Sequence, residues 1–140
     1  MLKTQDYLQF KMAWLNILFC DTSTERGYNI EEIINNSDFS ECTVFITSTR
    51  NMASELIESG QLFSVMIIGY DLNKIGDGND AINFIKKYRN IPSIFLDNPR
   101  GIISRAAENY ATITLNKNNV YYGLNEAIVK IIKDKNNPVD

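Results

Sequence analysis

Acidic and basic side chains stand just past several short apolar runs in this chain. Asp21 follows Trp14–Cys20 (WLNILFC), and Asp71 lies in the loop after Phe63–Ile68 (FSVMII). Asp97 follows Pro92–Leu96 (PSIFL), and Lys117 comes shortly after Ala111–Leu115 (ATITL). The chain has no histidine. Ser-His and Cys-His nucleophile pairs are therefore absent, as is the commonest zinc ligand. Any chemistry must come from carboxylates, lysine, tyrosine or hydroxyls.

The apolar runs are the elements that must position these groups. Val65–Ile68 is an unbroken Val/Met/Ile run closed by a loop rich in turn residues, Gly69 to Gly78. Such a run suits a strand buried on both faces of a parallel sheet. In an open α/β sheet, ligands gather at the carboxyl ends of the strands, so this loop is the first place to look for function. Five runs read as strands: Trp14–Cys20, Glu41–Thr47, Phe63–Ile68, Pro92–Leu96 and Ala111–Leu115.

Helical patterns lie between them. Asn29, with Glu32 three residues on, reads as a capping box for a short helix from Ile30 to about Asn36, after an interruption at Gly27. Ser48 or Thr49 can cap a second helix through Ala53, Leu56 and Ile57, stopped by Gly60. Asp77 or Asn79 opens a third, with Ala81, Phe84, Ile85 and Tyr88 at helical spacing. Asn98-Pro99 is a specific start signal for a fourth. The last helix buries Tyr121, Leu124, Ile128, Ile131 and Ile132 and leaves Lys130 and Lys133 outside. Right-handed crossovers then give an α/β fold, a three-layer αβα sandwich with a five-stranded parallel sheet.

The 140 residues suffice for one domain with a real core. Residues 14–135 are read as that domain, 1–13 as an N-terminal extension and 136–140 as a flexible tail. In and next to the extension, Leu8, Phe10, Met12 and Trp14 alternate like a strand, and Tyr7, Phe10, Lys11 and Trp14 fit a helix equally well, to pack on the domain or on a partner. A net charge of −3 offers no footprint for nucleic acid, and no apolar run spans a membrane, so a cytoplasmic protein is expected. Cys20 and Cys42 are expected at opposite ends of the sheet, too far apart for a disulfide.

The order of these segments resembles the receiver domain of bacterial response regulators, over roughly Leu15 to Ile132. Ile17–Asp21 is similar to the family's first strand, which ends in a pair of acids. Phe63–Gly78 is similar to its third strand and phosphoacceptor loop. Ile91–Leu96 and Ala111–Lys117 resemble its fourth and fifth strands. The resemblance implies the flavodoxin-like strand order 2-1-3-4-5. It also implies a pocket in which an aspartate accepts a phosphoryl group from a histidine kinase, with Mg²⁺, a hydroxyl and a lysine assisting.

On those positions the set is incomplete. Asp21 keeps one metal-binding acid, a weak ligand alone, and its neighbour is Thr22. The phosphoacceptor position falls on Gly69, the hydroxyl position on Asp97 and the aromatic switch position on Thr114, while Lys117 remains. Asp71 is the available substitute acceptor. It shares pleat parity with Gly69 but stands about 6–7 Å beyond the pocket floor, at roughly 3.3 Å per residue. With the central acid gone, Lys117 is expected to pair with Asp97 or Asp21 and hold the pocket in one state.

The leading expectation is thus a degenerate, non-catalytic receiver that works without phosphorylation. It would need no cofactor, and Mg²⁺ only if the acidic pocket works. Its partner would be a protein, a histidine kinase or an output protein in trans. Homodimerisation through the fourth helix, fifth strand and fifth helix follows the family's usual surface. One alternative is a working single-domain receiver phosphorylated on Asp71. Another is a small-molecule binder lined by Thr22, Ser48 and the Gly69–Gly78 loop, although Gly76-x-Gly78 lacks the rest of a phosphate-cradling motif.

Overall fold

The computed structural model describes residues 15–37, 42–70, 72, 79–97, 110–116 and 120–136. Five strands form one parallel sheet in the order β2-β1-β3-β4-β5. They are β1 (Asn16–Cys20), β2 (Thr43–Thr47), β3 (Val65–Gly69), β4 (Ser93–Asp97) and β5 (Ile113–Asn116). The strand order and layer architecture are those expected from the sequence. The strands are shorter than the apolar runs and end one residue later at β3, β4 and β5, because the ladder carries Gly69, Asp97 and Asn116.

The pleat sorts alternate residues to opposite faces. Ile17 and Phe19 of β1, Val65 and Ile67 of β3, and Ile94 and Leu96 of β4 enter one core. Leu18 and Cys20, Met66 and Ile68, and Phe95 enter the other. All five residues of β3 are buried, which is why that run shows no polar alternation. The first core is closed by α1 (Thr24–Asn35) through Ile30 and Ile34, and by α4 (Val120–Asn136) through Leu124, Ile128, Ile131 and Ile132. The second is closed by α2 (Arg50–Glu58) through Ala53 and by α3 (Asn79–Lys87) through Ala81, Phe84 and Ile85. Lys130 and Lys133 are exposed, as their spacing predicts.

Cys20 is paired in register with Thr47, while Cys42 precedes Thr43, whose N–H donates to the Leu15 carbonyl. The two thiols are buried at opposite ends of the sheet and form no disulfide with each other.

The start of α1 corrects the sequence reading. The helix begins at Thr24, not Ile30, and Ser23 rather than Asn29 caps it, with Ser23 Oγ accepting from the Arg26 N–H at 3.2 Å. Gly27 does not interrupt it. A Cβ at Gly27 would lie 2.8 Å from Ile46 Cγ2 and 2.9 Å from the Phe19 ring. The glycine therefore lets the helix lie against β1 and β2. That close packing outweighs the cost of about 1 kcal/mol for glycine inside a helix.

The signals that bound α2 fall where they were read. Thr49 Oγ1 caps α2 by accepting from the Met52 N–H at 3.1 Å, and Gly60 follows its end with φ of 98°. Asn79 is the first helical residue of α3 rather than its cap, and Asp77 lies outside the described residues. So do the segment opened by Asn98-Pro99, residues 1–14 and residues 137–140.

Candidate functional site

Asp21, the residue after β1, is fully buried at the carboxyl edge of the sheet. Its backbone N–H donates to the Thr47 carbonyl at 3.3 Å, which continues the β1–β2 ladder by one step. A carboxylate at zero exposure needs partners for both oxygens. Oδ1 accepts from the Ser23 N–H at 3.0 Å and from the Thr22 hydroxyl at 3.4 Å. Oδ2 meets Arg26 Nη1 in a hydrogen-bonded ion pair. The Arg26 side chain is 26% exposed, so the pair is buried on its acidic side and only partly wet on its basic side.

Local structure explains the pairing. Ser23 starts α1 immediately after β1, and the first helical turn returns Arg26 over the end of the strand it has just left. The cap fixes where the helix begins, and so where the guanidinium falls.

Gly69 completes the arrangement. Cys20 is in register with Ile68, which places Asp21 beside Gly69 across the β1–β3 ladder. A Cβ on Gly69 would overlap Asp21 Oδ2 and Cγ and would stand 2.8 Å from Asp21 Cβ. Among the described glycines only Gly60 has positive φ, so Gly69 is not needed for backbone freedom. It is needed for space, and the Asp21 carboxylate fills that space.

Of the other residues singled out above, Asp97 ends β4 one step beyond Leu96, the register partner of Gly69, and is partly buried. Thr114 pairs with Phe95, two residues short of the end of β4. Thr22 is exposed, and its hydroxyl turns back to Asp21. Ser48 donates to Met52 Sδ at 3.6 Å within its own turn. Asp71 and Lys117 lie outside the described residues, and with them the expected lysine pair. Arg26 was not anticipated. The available signal was an arginine in the first turn of a helix that directly follows a buried acid, and it was hidden by placing the helix start too late.

A Mg²⁺ ion, implied by the resemblance, does not fit the described residues. It requires near-octahedral oxygen ligation. Asp21 already spends both oxygens on a guanidinium and on the start of α1. No cluster of three or more acidic, cysteine or histidine side chains suited to a metal occurs among the described residues.

Cys20 precedes Asp21 in β1, and its side chain enters the second core. Burial pushes its thiol up to about 11, opposed by a hydrogen bond with Thr47 and reinforced by the charge of Asp21. The folded state thus favours the protonated thiol. Its contribution to stability is complete below the ordinary thiol range and is lost as pH rises through about 11. Folded protein should resist iodoacetamide at pH 8 at Cys20, whereas protein unfolded in urea should react. Rapid alkylation of Cys20 in the folded chain would contradict this burial.

No protein-family model matches the sequence, and no curated protein matches it significantly. Solved structures match it by shape. The N-terminal domain of a response regulator/sensory box/GGDEF three-domain protein from Carboxydothermus hydrogenoformans is 19% identical, with a TM-score of 0.70, over 86% of this chain and 96% of that one. A two-component response regulator from Clostridium difficile is 18% identical, with a TM-score of 0.70, over 88% and 99%. A CheY-like receiver domain protein from Methanospirillum hungatei is 17% identical, with a TM-score of 0.64, over 86% and 98%. At these identities the likeness is one of fold.

Proposed function

We propose that this chain, whose fold is that of response-regulator receiver domains, is a non-catalytic signalling module that binds a protein partner without being phosphorylated. The observation that carries this reading is the filling of the Gly69 side-chain space by the Asp21 carboxylate, paired with Arg26. A phosphoryl acceptor needs a nucleophilic carboxylate at the pocket floor, and acids around it to hold a metal. Here the floor has no side chain, and Asp21, the one buried acid among the described residues, is committed to an arginine of the same chain. The positive charge that the chemistry would draw from a metal is supplied internally and permanently. The pocket is thereby held in one arrangement, and regulation passes to whatever binds the surface.

The partner is a protein, a kinase or an output protein in trans. The surface most suited by resemblance is the one that includes β5 and α4, which would also serve a homodimer. Incubation of the chain with acetyl phosphate and Mg²⁺, followed by intact-mass measurement, is expected to show no phosphoryl adduct. An adduct that disappears in Asp71→Asn would overturn this reading and establish Asp71 as the acceptor.

A further inference from the structure

β2 lies at one edge of the sheet, and among the described residues no strand pairs with its outer side. The Thr43 N–H donates to the Leu15 carbonyl, and the Thr47 carbonyl accepts from the Asp21 N–H. Thr43, Phe45 and Thr47 thus turn their backbone groups to β1, and Val44 and Ile46 turn theirs outward. Such an edge is a template for a further strand, and natural edges are commonly blunted by lysine, proline or a bulge. β2 reads Thr-Val-Phe-Ile-Thr in unbroken register and has none of these.

The helices above and below frame this edge. On α1, Arg26 turns to Asp21 at the end of β1. Tyr28, two residues on, stands about 200° further round the helix, on the flank toward β2. On α2, Arg50 turns to Asp80 of α3, which leaves Met52 on the flank toward β2. Tyr28 is 62% exposed and Met52 45%, so each side of the edge carries an uncovered apolar group. The charges agree. Arg26 and Arg50 are the only basic residues of α1 and α2, and both are held in ion pairs, while Glu25, Glu32 and Glu55 are exposed. The surroundings of β2 are therefore acidic.

We propose that the outer edge of β2 takes an extended, basic segment of a protein partner, which joins the sheet as a further strand. Backbone bonds to Val44 and Ile46 hold it, its alternate side chains reach Tyr28 and Met52, and its lysines or arginines meet the glutamates. A second copy suits the edge less well. Two-fold pairing of β2 with itself sets α1 beside α1 and α2 beside α2, acid against acid. The inference rests on the reading of this chain as a protein-binding module, but its readout is separate from the phosphoryl-adduct measurement, so either can fail alone.

Amide hydrogen exchange in the intact chain tests it, with a short capped peptide of alternating lysine and valine as the probe and light scattering for mass. In the free monomer the Val44 and Ile46 amides should exchange readily, while Thr43, bonded to Leu15, is protected. The peptide should slow Val44 and Ile46 many-fold, and the same peptide with glutamate for lysine should not. Glu32→Lys combined with Glu55→Lys, both at exposed positions, should weaken binding several-fold with the circular dichroism spectrum unchanged. Val44 and Ile46 amides already protected in the dilute free chain would overturn the proposal, because the chain then covers its own edge. Protection that rises with protein concentration alone would overturn it in favour of a second copy. No binding, binding that leaves these amides unprotected, or equal binding of the glutamate peptide would each overturn it as well.

Discussion

Gly69→Ala is expected to destabilise the protein by about 3–5 kcal/mol, the range for breaking a buried ion pair. The sign is the sharper part of the expectation. Glycine inside a strand with ordinary backbone angles costs roughly 0.5–1 kcal/mol relative to alanine, so the substitution would normally stabilise. At this position the new methyl group meets the Asp21 carboxylate. Asp21 cannot rotate away without leaving Ser23 and Arg26, and β3 is buried along its whole length, so the strand cannot move aside cheaply. Urea unfolding midpoints measure the effect. In an Asp21→Gly background the same Gly69→Ala change should become neutral or stabilising. A stabilised Gly69→Ala single variant would mean that the carboxylate does not occupy this space.

Arg26→Met should cost about 3 kcal/mol, the lower end of the buried-pair range, because the guanidinium is partly exposed while the carboxylate is not. A fully exposed pair would be worth only about 0–1 kcal/mol. Loss of the arginine leaves a charged oxygen without a partner in an apolar setting. Asp21→Asn added to Arg26→Met should therefore recover part of the loss, since the neutral amide tolerates the site better. Such non-additivity is the signature of residues in contact. Additive effects below 1 kcal/mol in this double-mutant cycle would remove the pair from any account of how the pocket is held.

The sheet was legible in the sequence because its signal is local and repeated. Runs such as Val65–Ile68 declare burial on both faces, and their order with intervening helical patterns leaves few topologies. Thr49 and Gly60 were legible for the same reason, since a cap and a stop act within one turn. The start of α1 was not. Gly27 reads as a break from propensity alone, and only the approach of Phe19 and Ile46 shows why a helix keeps it. That error propagated. With the helix begun at Ile30, Arg26 belonged to a loop and could not be aimed at Asp21. The loss of a side chain at position 69 was visible in the sequence. Its consequence, an acid occupying the vacated volume, required the register of β1 against β3.

Gly27 sits immediately after Arg26, and this adjacency ties the pocket's geometry to the packing of the core. The seat of α1 on the sheet is set where it has no side chain, against Phe19 and Ile46, and the guanidinium is cantilevered from that seat by a single residue. Phe19 and Ile46 therefore work as shims. A larger group at either position, or a methyl group at 27, lifts the helix by tenths of an ångström, and the lift appears at the Arg26–Asp21 contact. The tolerance of the charged lock is set by hydrocarbon thickness two strands wide. Substitutions that never touch a polar atom can still loosen it.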